Sequence, residues 1–176
     1  MSDILQGGAG MPDGWQRLWA PHRMQYLSGE NRPLPGNEIQ CPFCRIPTLS
    51  DEEGLIVHRS KEAYVVMNLY PYNAGHLLIC ANRHVADLTE LTISERSEIS
   101  ELTAHAMTTL RKVSRAAGFN LGMNQGALSG AGVAEHIHQH VVPRWSGDAN
   151  FMPIIGQTKV LPQLLQETRA ALAAGW

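Results

Sequence analysis

Three short apolar runs in the first half of the chain are separated by turn-forming residues. Their sequences are GLIVHRS, AYVVMNL and GHLLICA, at residues 54–60, 63–69 and 75–81. Short runs of β-branched and aliphatic residues between turn formers are typical of β-strands. Only Lys61 and Glu62 separate the first two runs, and this short gap predicts a β-hairpin.

The pattern then changes to the period of a helix. Thr92 and Glu95 have the spacing of a capping box, a reciprocal pair of side-chain to backbone hydrogen bonds that begins many helices. Apolar residues follow at intervals of three or four residues, namely Ile99, Leu102, Ala106, Leu110 and Val113. Basic residues crowd the last turn, and Gly118 is expected to end the helix.

Two further strands and a closing helix complete the pattern. The strands are predicted at 119–126 and 136–145, and the helix at 162–175, with a proline near its first turn. This order predicts an α+β fold, in which an antiparallel sheet of about five strands packs with a long helix and a C-terminal helix. We expect one domain, residues 13–176, behind a flexible N-terminal tail, residues 1–12.

Composition and charge narrow the range of partners. The formal net charge of −2 provides no broad basic field for a polynucleotide backbone, so no nucleic-acid partner is expected. The first residues lack a basic start followed by an apolar run, and no stretch has the roughly 18 apolar residues of a membrane span. We therefore expect no membrane partner and a cytoplasmic location.

Three histidines stand at every second position of the last predicted strand: His136, His138 and His140. Side chains alternate across a strand, so the three imidazoles project from one face and Gln139 projects from the other. A core face favours Val or Ile and a solvated face favours Lys, Glu or Thr, so three imidazoles indicate a functional site. Two interpretations remain open at this point: a metal site that uses His-x-His, and a catalytic imidazole that needs no metal.

Two of the three cysteines form a C-x-x-C pair, Cys41 and Cys44, in a segment whose many turn formers predict a loop. With His84 and one histidine of the strand, the pair would complete a Cys₂His₂ tetrahedron, the ligand set of a closed structural zinc site. If zinc uses His136, the next histidine of the strand stays available for chemistry. Two reduced thiols without a metal are the simpler alternative. The third cysteine, Cys80, is expected in the core.

The last strand, with its sequence HIHQHVV, resembles the histidine-triad motif of the HIT family of nucleotide hydrolases and transferases. An earlier segment of that family is similar to MNLYPYNAGHLLICANRHVADL, and the likeness extends over about residues 41–145. The resemblance implies an α+β fold, a homodimer that joins two sheets, and a nucleotide pocket above the histidine strand. The context VVPRWSGDANF, the chain length and the N-terminal tryptophans resemble HIT-type diadenosine tetraphosphate phosphorylases more than the small phosphoramidases.

The resemblance also implies roles for individual residues. His138 matches the middle histidine of the triad, which attacks the α-phosphate and forms a nucleotidyl-histidine intermediate. His140 and His76 match positions that orient the site and hold phosphate oxygens, and Asn68 matches a residue that hydrogen-bonds the ribose. Family members with C-x-x-C bind zinc through four residues that match the set proposed above from ligand chemistry, namely Cys41, Cys44, His84 and His136.

Other matched positions leave their roles open. Either Asn124 or Gln125 matches an amide on the phosphate side. Gly132 and Val133 stand where many relatives have Ser or Gln, and backbone N–H groups in this loop, together with that of Ala131, are expected to replace the missing donor.

Two residues after the triad, Arg144 and Trp145, are predicted nucleotide contacts, each with an alternative role, and one position within the triad departs from the motif. Arg144 would hold phosphate or make a surface or subunit contact. Trp145 would stack on a purine or fill the dimer interface. Gln139 stands where the motif has a hydrophobic residue, and we expect it to alter packing rather than phosphate chemistry.

Together these features predict an enzyme that cleaves a nucleoside polyphosphate of the diadenosine tetraphosphate type at its α-phosphate. The intermediate would pass its nucleotide to water in a hydrolase or to inorganic phosphate in a phosphorylase, and no side chain decides between the two. The alternatives are a nucleoside phosphoramidase, a non-enzymatic nucleotide-binding adaptor, and a metalloenzyme with a catalytic His-x-His metal. Structural zinc is the expected cofactor, with no organic cofactor.

Overall fold

The computed structural model describes residues 41–148 and 164–176 of the chain. Its helices and strands are, in order, α1 (Pro42–Arg45), β1 (Ile56–Arg59), β2 (Ala63–Met67), β3 (Leu77–Ala81), α2 (Ile93–Ser114), β4 (Gly118–Gly122), β5 (His138–Arg144) and α3 (Leu165–Gly175). Short 3₁₀ turns lie at Ile46–Thr48, Leu88–Glu90 and Ala127–Ser129. The expected tail, residues 1–12, and the first residues of the predicted closing helix lie outside the described ranges.

The five strands form one antiparallel sheet in the order β1-β2-β3-β5-β4. β1 and β2 form the hairpin that the gap at Lys61 and Glu62 predicts. β5 lies between β3 and β4 and is an interior strand of the sheet. It begins at His138, so the predicted start at His136 is wrong by two residues. The sheet and its helices confirm the predicted α+β fold.

The two faces of the sheet are covered differently. Helices α2 and α3 pack on one face, where the larger apolar core contains Leu77, Ile79 and Val141. A smaller cluster on the other face contains Leu78 and the fully buried Cys80, packed against residues of the cysteine segment. His138 and His140 are the cross-strand partners of Cys80 and Leu78 and share their side of the pleat. We call this second side the histidine face.

Helix α2 begins as the sequence predicts. The Thr92 hydroxyl accepts a hydrogen bond from the backbone N–H of Glu95 at 3.1 Å, and the Glu95 carboxylate accepts one from the backbone N–H of Thr92 at 2.7 Å. This exchange satisfies two of the N–H groups that have no partner inside the helix. The capping box is therefore confirmed.

The end of α2 differs from the prediction. Arg115 takes the left-handed conformation, with a φ of 56°, and the N–H groups of Arg115 and Ala116 bond to two carbonyl oxygens of the last helical turn. These bonds satisfy the terminal carbonyls and direct the chain away from the helix axis. The helix therefore ends at Ser114, and Gly118 is the first residue of β4. The prediction that Gly118 ends the helix is wrong.

The cysteine segment is also more regular than predicted. The loop expected around the C-x-x-C pair contains the single-turn helix α1, which begins with Pro42 directly after Cys41. Proline suits the first helical position because its fixed φ is helical and its missing N–H would have no partner there.

Among the described helices, none combines the length and the apolar character that crossing a membrane requires.

Candidate active site

His138 is the best-defined imidazole of the histidine face. Its side chain is 6% exposed, and its Nδ1 lies 2.8 Å from the backbone carbonyl oxygen of His136. A carbonyl can only accept, so Nδ1 carries the proton and donates it. Burial lowers the pKa of His138, and the bond to the His136 carbonyl opposes this shift only in part. The neutral ring therefore keeps a lone pair on Nε2, the nitrogen that can attack an electrophile.

His76 and His140 form a second imidazole pair beside the first. The backbone N–H of Tyr72 donates to His76 Nδ1 at 3.0 Å, so Nδ1 is an acceptor and the proton of the neutral ring is on Nε2. His76 Nε2 lies 3.0 Å from His140 Nδ1 and donates to it. The neutral His140 ring then carries its own proton on Nε2. The backbone N–H of Tyr72 thus leaves Nε2 of His140 as the nitrogen of this pair that can donate to a bound anion.

Asn68, which directly follows β2, contacts His76 of this imidazole pair. Its Nδ2 donates to His76 Nδ1 at 3.3 Å, and its Oδ1 accepts the backbone N–H of Tyr70 at 2.9 Å. The residue matched to ribose binding therefore also supports the turn that leads to His76.

Two aromatic rings pack on the imidazoles. The Phe43 ring lies 4.7 Å from the His138 ring and 5.6 Å from the His136 ring, measured between centroids. The Tyr72 ring stacks on His140 with 12° between the planes and is 42% exposed. Phe43 is not among the residues predicted for the site. Its position between the two cysteines of CPFC was the available signal, because any site that fixes both thiols also fixes the residues between them.

The four predicted metal ligands come together on the histidine face. Sγ of Cys41 lies 3.4 Å from His136 Nδ1, and Sγ of Cys44 lies 3.5 Å from the same nitrogen. Sγ of Cys44 lies 3.2 Å from His84 Nδ1, and all four ligand atoms lie within 4.8 Å of one another. Zinc bonds of about 2.1 Å to nitrogen and 2.3 Å to sulfur place tetrahedral N and S ligands about 3.5 Å apart. The cluster therefore has the size of a zinc tetrahedron.

The tautomer of His136 also fits metal binding. Its Nε2 donates to the carbonyl oxygen of Ala81 at 2.9 Å, so the lone pair is on Nδ1 and faces the two thiols. Burial is the main cause that lowers the pKa of His136 to about 4, which keeps the ring neutral. A metal-binding histidine needs this arrangement, in which the nitrogen that does not bind the metal is held by an acceptor.

The loops that flank β5 hold the matched amide and backbone donors. Gln125 Oε1 accepts the backbone N–H of Leu88 at 2.8 Å, so this side chain supports the segment before α2. Asn124 is half-buried in the same loop. Gly132 is half-buried as well, and Val133 packs against the cluster on the histidine face. The segment 131–133 therefore lies on the histidine face of the sheet.

Arg144 and Trp145 make contacts at the far end of β5. Arg144 forms two hydrogen bonds with Asp148, at 2.6 and 2.9 Å, and one with Asn120 Oδ1 at 2.9 Å. The Trp145 Nε1 donates to the carbonyl oxygen of Ser114, and its ring packs against the larger core. Arg144 follows His140 by four residues, a distance of roughly 13 Å along a strand. Both side chains thus have partners within this chain, and their contact with nucleotide stays a prediction.

Gln139 lies on the opposite face from the histidines, as the strand alternation predicts. It borders a cavity of about 190 Å³ between β5 and α2. The cavity is also lined by Arg96, Ser100, Thr103 and Met123. The residue that departs from the motif thus lies behind the strand, away from the histidine face.

Comparison with known proteins agrees with this arrangement. The model of the HIT domain matches residues 50–147. The chain is 49% identical to the AP-4-A phosphorylase of Mycobacterium tuberculosis H37Rv, over 98% of this chain and 90% of that protein. It is 31% identical to an asymmetrical bis(5'-nucleosyl)-tetraphosphatase of Schizosaccharomyces pombe, over 62% of this chain and 57% of that protein.

Among solved structures, the fold is similar to that of a Zn-bound histidine triad family protein from Mycobacterium smegmatis. The TM-score is 0.63 at 23% sequence identity, covering 79% of this chain and 94% of that one. A hypothetical histidine triad nucleotide-binding protein from Sulfolobus tokodaii also gives a TM-score of 0.63, at 22% identity. The triad strand, the imidazole geometry and the matched sequence together show that the chain belongs to the HIT family.

Proposed function

We propose that this HIT-family protein is a nucleotidyl transferase or hydrolase that cleaves diadenosine tetraphosphate-type substrates at the α-phosphate. The 49% identity to an AP-4-A phosphorylase over nearly the whole chain supports the substrate class. The observation that supports the reaction is the hydrogen bond from His138 Nδ1 to the His136 carbonyl, because it leaves a lone pair on Nε2 of His138. Neither of the other two triad imidazoles donates from Nδ1 to a backbone carbonyl in this way.

In the first step, Nε2 of His138 attacks the α-phosphorus of the substrate. A phosphorus–nitrogen bond forms, the bond from that phosphorus to its bridging oxygen breaks, and ATP leaves from diadenosine tetraphosphate. In the second step, inorganic phosphate or water displaces the imidazole and releases ADP or AMP respectively. The histidine emerges unchanged, as covalent catalysis requires.

Several groups are placed to stabilise the charge that develops on the phosphoryl oxygens. His140 offers a proton on Nε2 because His76 occupies its Nδ1. The backbone N–H groups of Ala131, Gly132 and Val133 are candidates for the role of the missing Ser or Gln. Fixed donors that face a developing anion are usually the largest single contribution to such catalysis. Asn124 is the better candidate for the phosphate-side amide, since Gln125 is bonded to Leu88.

We assign zinc to the cluster of Cys41, Cys44, His84 and His136. Four protein ligands complete a tetrahedron, so the ion would hold the cysteine segment against β5 and leave no open position for substrate. The direct test is metal analysis of the purified protein, with about one zinc per chain expected. A content near zero in protein that turns over substrate would overturn the assignment.

We infer a homodimer from the edge of the sheet. Within the described residues, β4 pairs with β5 on one side and has no strand on the other, and Leu121 on this edge is 47% exposed. An exposed edge strand with an apolar side chain favours pairing with a second chain. Light scattering on the Leu121→Lys variant tests this, and a shift from dimer to monomer is expected. A wild-type monomer would contradict the inference.

The partners and compartment follow from the same features. Nucleotide and inorganic phosphate are the small-molecule partners proposed, and neither nucleic acid nor a membrane is proposed as a partner. Three free cysteines among the described residues fit a reducing compartment such as the cytoplasm.

The decisive experiment is incubation with diadenosine tetraphosphate, with and without phosphate, and separation of the products. ADP with ATP that forms only in the presence of phosphate indicates phosphorolysis, whereas AMP with ATP indicates hydrolysis. If neither pair of products forms, a phosphoramidase is favoured, and cleavage of a phosphoramidate substrate would reveal that activity. Tight nucleotide binding without any turnover would favour the adaptor.

A further inference from the structure

We infer that Asn73 and Asp148 are positioning residues, which hold the turn before β3 so that His76 and His140 keep the tautomers described above. The inference rests on the proposed function, because it concerns the imidazole assigned to the phosphoryl oxygens. It gives the residues at the C-terminal end of β5 a role in the reaction that requires no contact with substrate.

Asp148 is the centre of this network. Its side chain is 10% exposed and accepts four hydrogen bonds, two from Arg144, one from the Trp145 backbone and one from Asn73. The Arg144 guanidinium is the main cause that holds the pKa of the Asp148 carboxyl well below its usual range. The carboxylate therefore stays ionised and remains a strong, fixed acceptor.

Asn73 connects this carboxylate to the turn. The two protons of its Nδ2 go to two acceptors, the Asp148 carboxylate at 2.8 Å and the carbonyl oxygen of Pro143 at 3.0 Å. Its own backbone carbonyl accepts the N–H of His76 at 3.1 Å. Asn73 is thus bound to the end of β5 by its side chain and to His76 by its backbone.

The conformation of this turn depends on the glycine at position 75. Gly75 has a φ of +72°, and a Cβ at that position would lie 3.1 Å from a methyl carbon of Leu110. In this turn the Tyr72 N–H points at His76 Nδ1. Asn73 is the next residue after Tyr72, so a shift of Asn73 moves that N–H directly.

The chemical consequence follows from the shared protons. Without the Tyr72 N–H, Nδ1 of His76 keeps the longer bond from Asn68 Nδ2, at 3.3 Å, and takes a proton more readily than before. The fraction of His76 rings that donate from Nε2 to His140 then falls. His140 would then keep a proton on Nδ1 and lose the one on Nε2 that faces the phosphoryl group. Since neither Asn73 nor Asp148 bonds to His140, the whole effect passes through the turn and His76.

Two variants test the inference, Asn73→Ala and Asp148→Asn. The first keeps the pair of Arg144 and Asp148 and removes only the link to the turn. Asp51→Asn is the matched control, because Asp51 also bonds to an arginine, Arg59, at 2.7 Å, but contacts no part of this turn. Each protein is labelled with ¹⁵N-histidine, and ring-nitrogen shifts, thermal stability, kcat and KM for diadenosine tetraphosphate are measured.

We expect both variants to change the ring-nitrogen shifts of His76 and His140 and to lower kcat roughly 10- to 100-fold, as small misplacements of reacting groups do. KM is expected to change less than kcat, and Asp51→Asn to change neither the shifts nor kcat. Unchanged ring-nitrogen shifts in Asn73→Ala would overturn the inference, whatever happens to its stability. If the wild-type protein shows no turnover, the proposed function fails, and the nitrogen shifts still decide whether these residues set the tautomers.

Discussion

The two histidines on either side of His138 are held by different means. His136, just before β5, is almost fully buried and lies beside two thiols, the His84 imidazole and the Phe43 ring. His140, the third residue of β5, is half-buried and depends on a chain of hydrogen bonds through His76 and the turn before β3. The first region would be held by one cation, the second by several directional bonds.

This difference predicts different responses to mutation. Coordination by a metal ion concentrates several kcal/mol in one small cluster, so losing any ligand should affect stability first. Hydrogen bonds contribute only about 1 kcal/mol each but determine which nitrogen carries a proton, so losing one should affect the reaction first. The nucleophile His138 lies between the two regions and depends on both.

The largest expected effect is the loss of that nucleophile. We expect His138→Asn to fold, to keep its metal and nucleotide affinity, and to lose roughly 10⁴-fold or more in kcat, because no covalent intermediate can form. Steady-state kinetics and nucleotide titration measure both quantities. Gln139→Leu, on the opposite face of the same strand, is the control and should retain its activity. Near-normal turnover of His138→Asn would exclude the mechanism.

Removal of a metal ligand should have the next largest effect. We expect Cys44→Ser to lose its zinc and to lower Tm by roughly 10 °C or more, since about 1 kcal/mol corresponds to 2–4 °C in a chain of this size. Mass spectrometry of the native protein and thermal unfolding measure the two changes. Cys80→Ala, which replaces a core thiol outside the cluster, should keep its zinc. Equal zinc content in both variants would refute the cluster.

Phe43 tests whether the metal segment reaches the nucleophile. We expect Phe43→Leu to keep its zinc and to lower kcat by about 3- to 10-fold, because leucine fills much of the space but cannot hold the His138 ring in one orientation. The matched control is Phe119→Leu, whose ring is half-buried on the opposite face of the sheet and contacts Arg111. If the two variants have equal kcat, Phe43 serves only the core.

The smallest effect is expected at the ion pair of Arg83 and Glu95, which supports the start of α2. Hydrogen bonds from Arg83, and then from the Thr92 backbone, are the main causes that lower the pKa of Glu95 to about 2. A carboxyl whose pKa is lowered on folding stabilises the protein above its unfolded pKa, and this stability is lost as the pH falls through the folded value. We expect Glu95→Gln to destabilise the protein by about 1–2 kcal/mol at pH 7.

The pH dependence checks the cause of that loss. The difference in unfolding free energy between wild type and Glu95→Gln should be constant above about pH 5 and should shrink as the pH falls from about 4.5 toward 2. Denaturant unfolding at a series of pH values measures it. A difference that stays constant over this range would mean that the charge of Glu95 contributes nothing. The activity of Glu95→Gln at neutral pH should be close to that of the wild type, unlike the activity of the His138 and Phe43 variants.

Several features were predictable because they depend on local sequence. The capping box at Thr92 and Glu95, the hairpin around Lys61 and the alternation that separates Gln139 from the histidines each involve residues within a few positions of one another. The predicted end of α2 was wrong because it also relied on local sequence alone. A left-handed Arg115 is locally costly, so sequence rules favour Gly118, and the hydrogen bonds that stabilise the actual end became visible only in the fold.

The sequence by itself determined the residue types that carry the chemistry: three alternating imidazoles, a C-x-x-C pair and a histidine after β3. Only the tertiary structure decided how they divide the work. It directs Nδ1 of His138 to a carbonyl and that of His136 to the thiols, and it pairs Arg144 with Asp148. The physical reason is that a proton's position on an imidazole depends on partners distant in sequence, which strand pairing and loop packing bring within 3 Å or so.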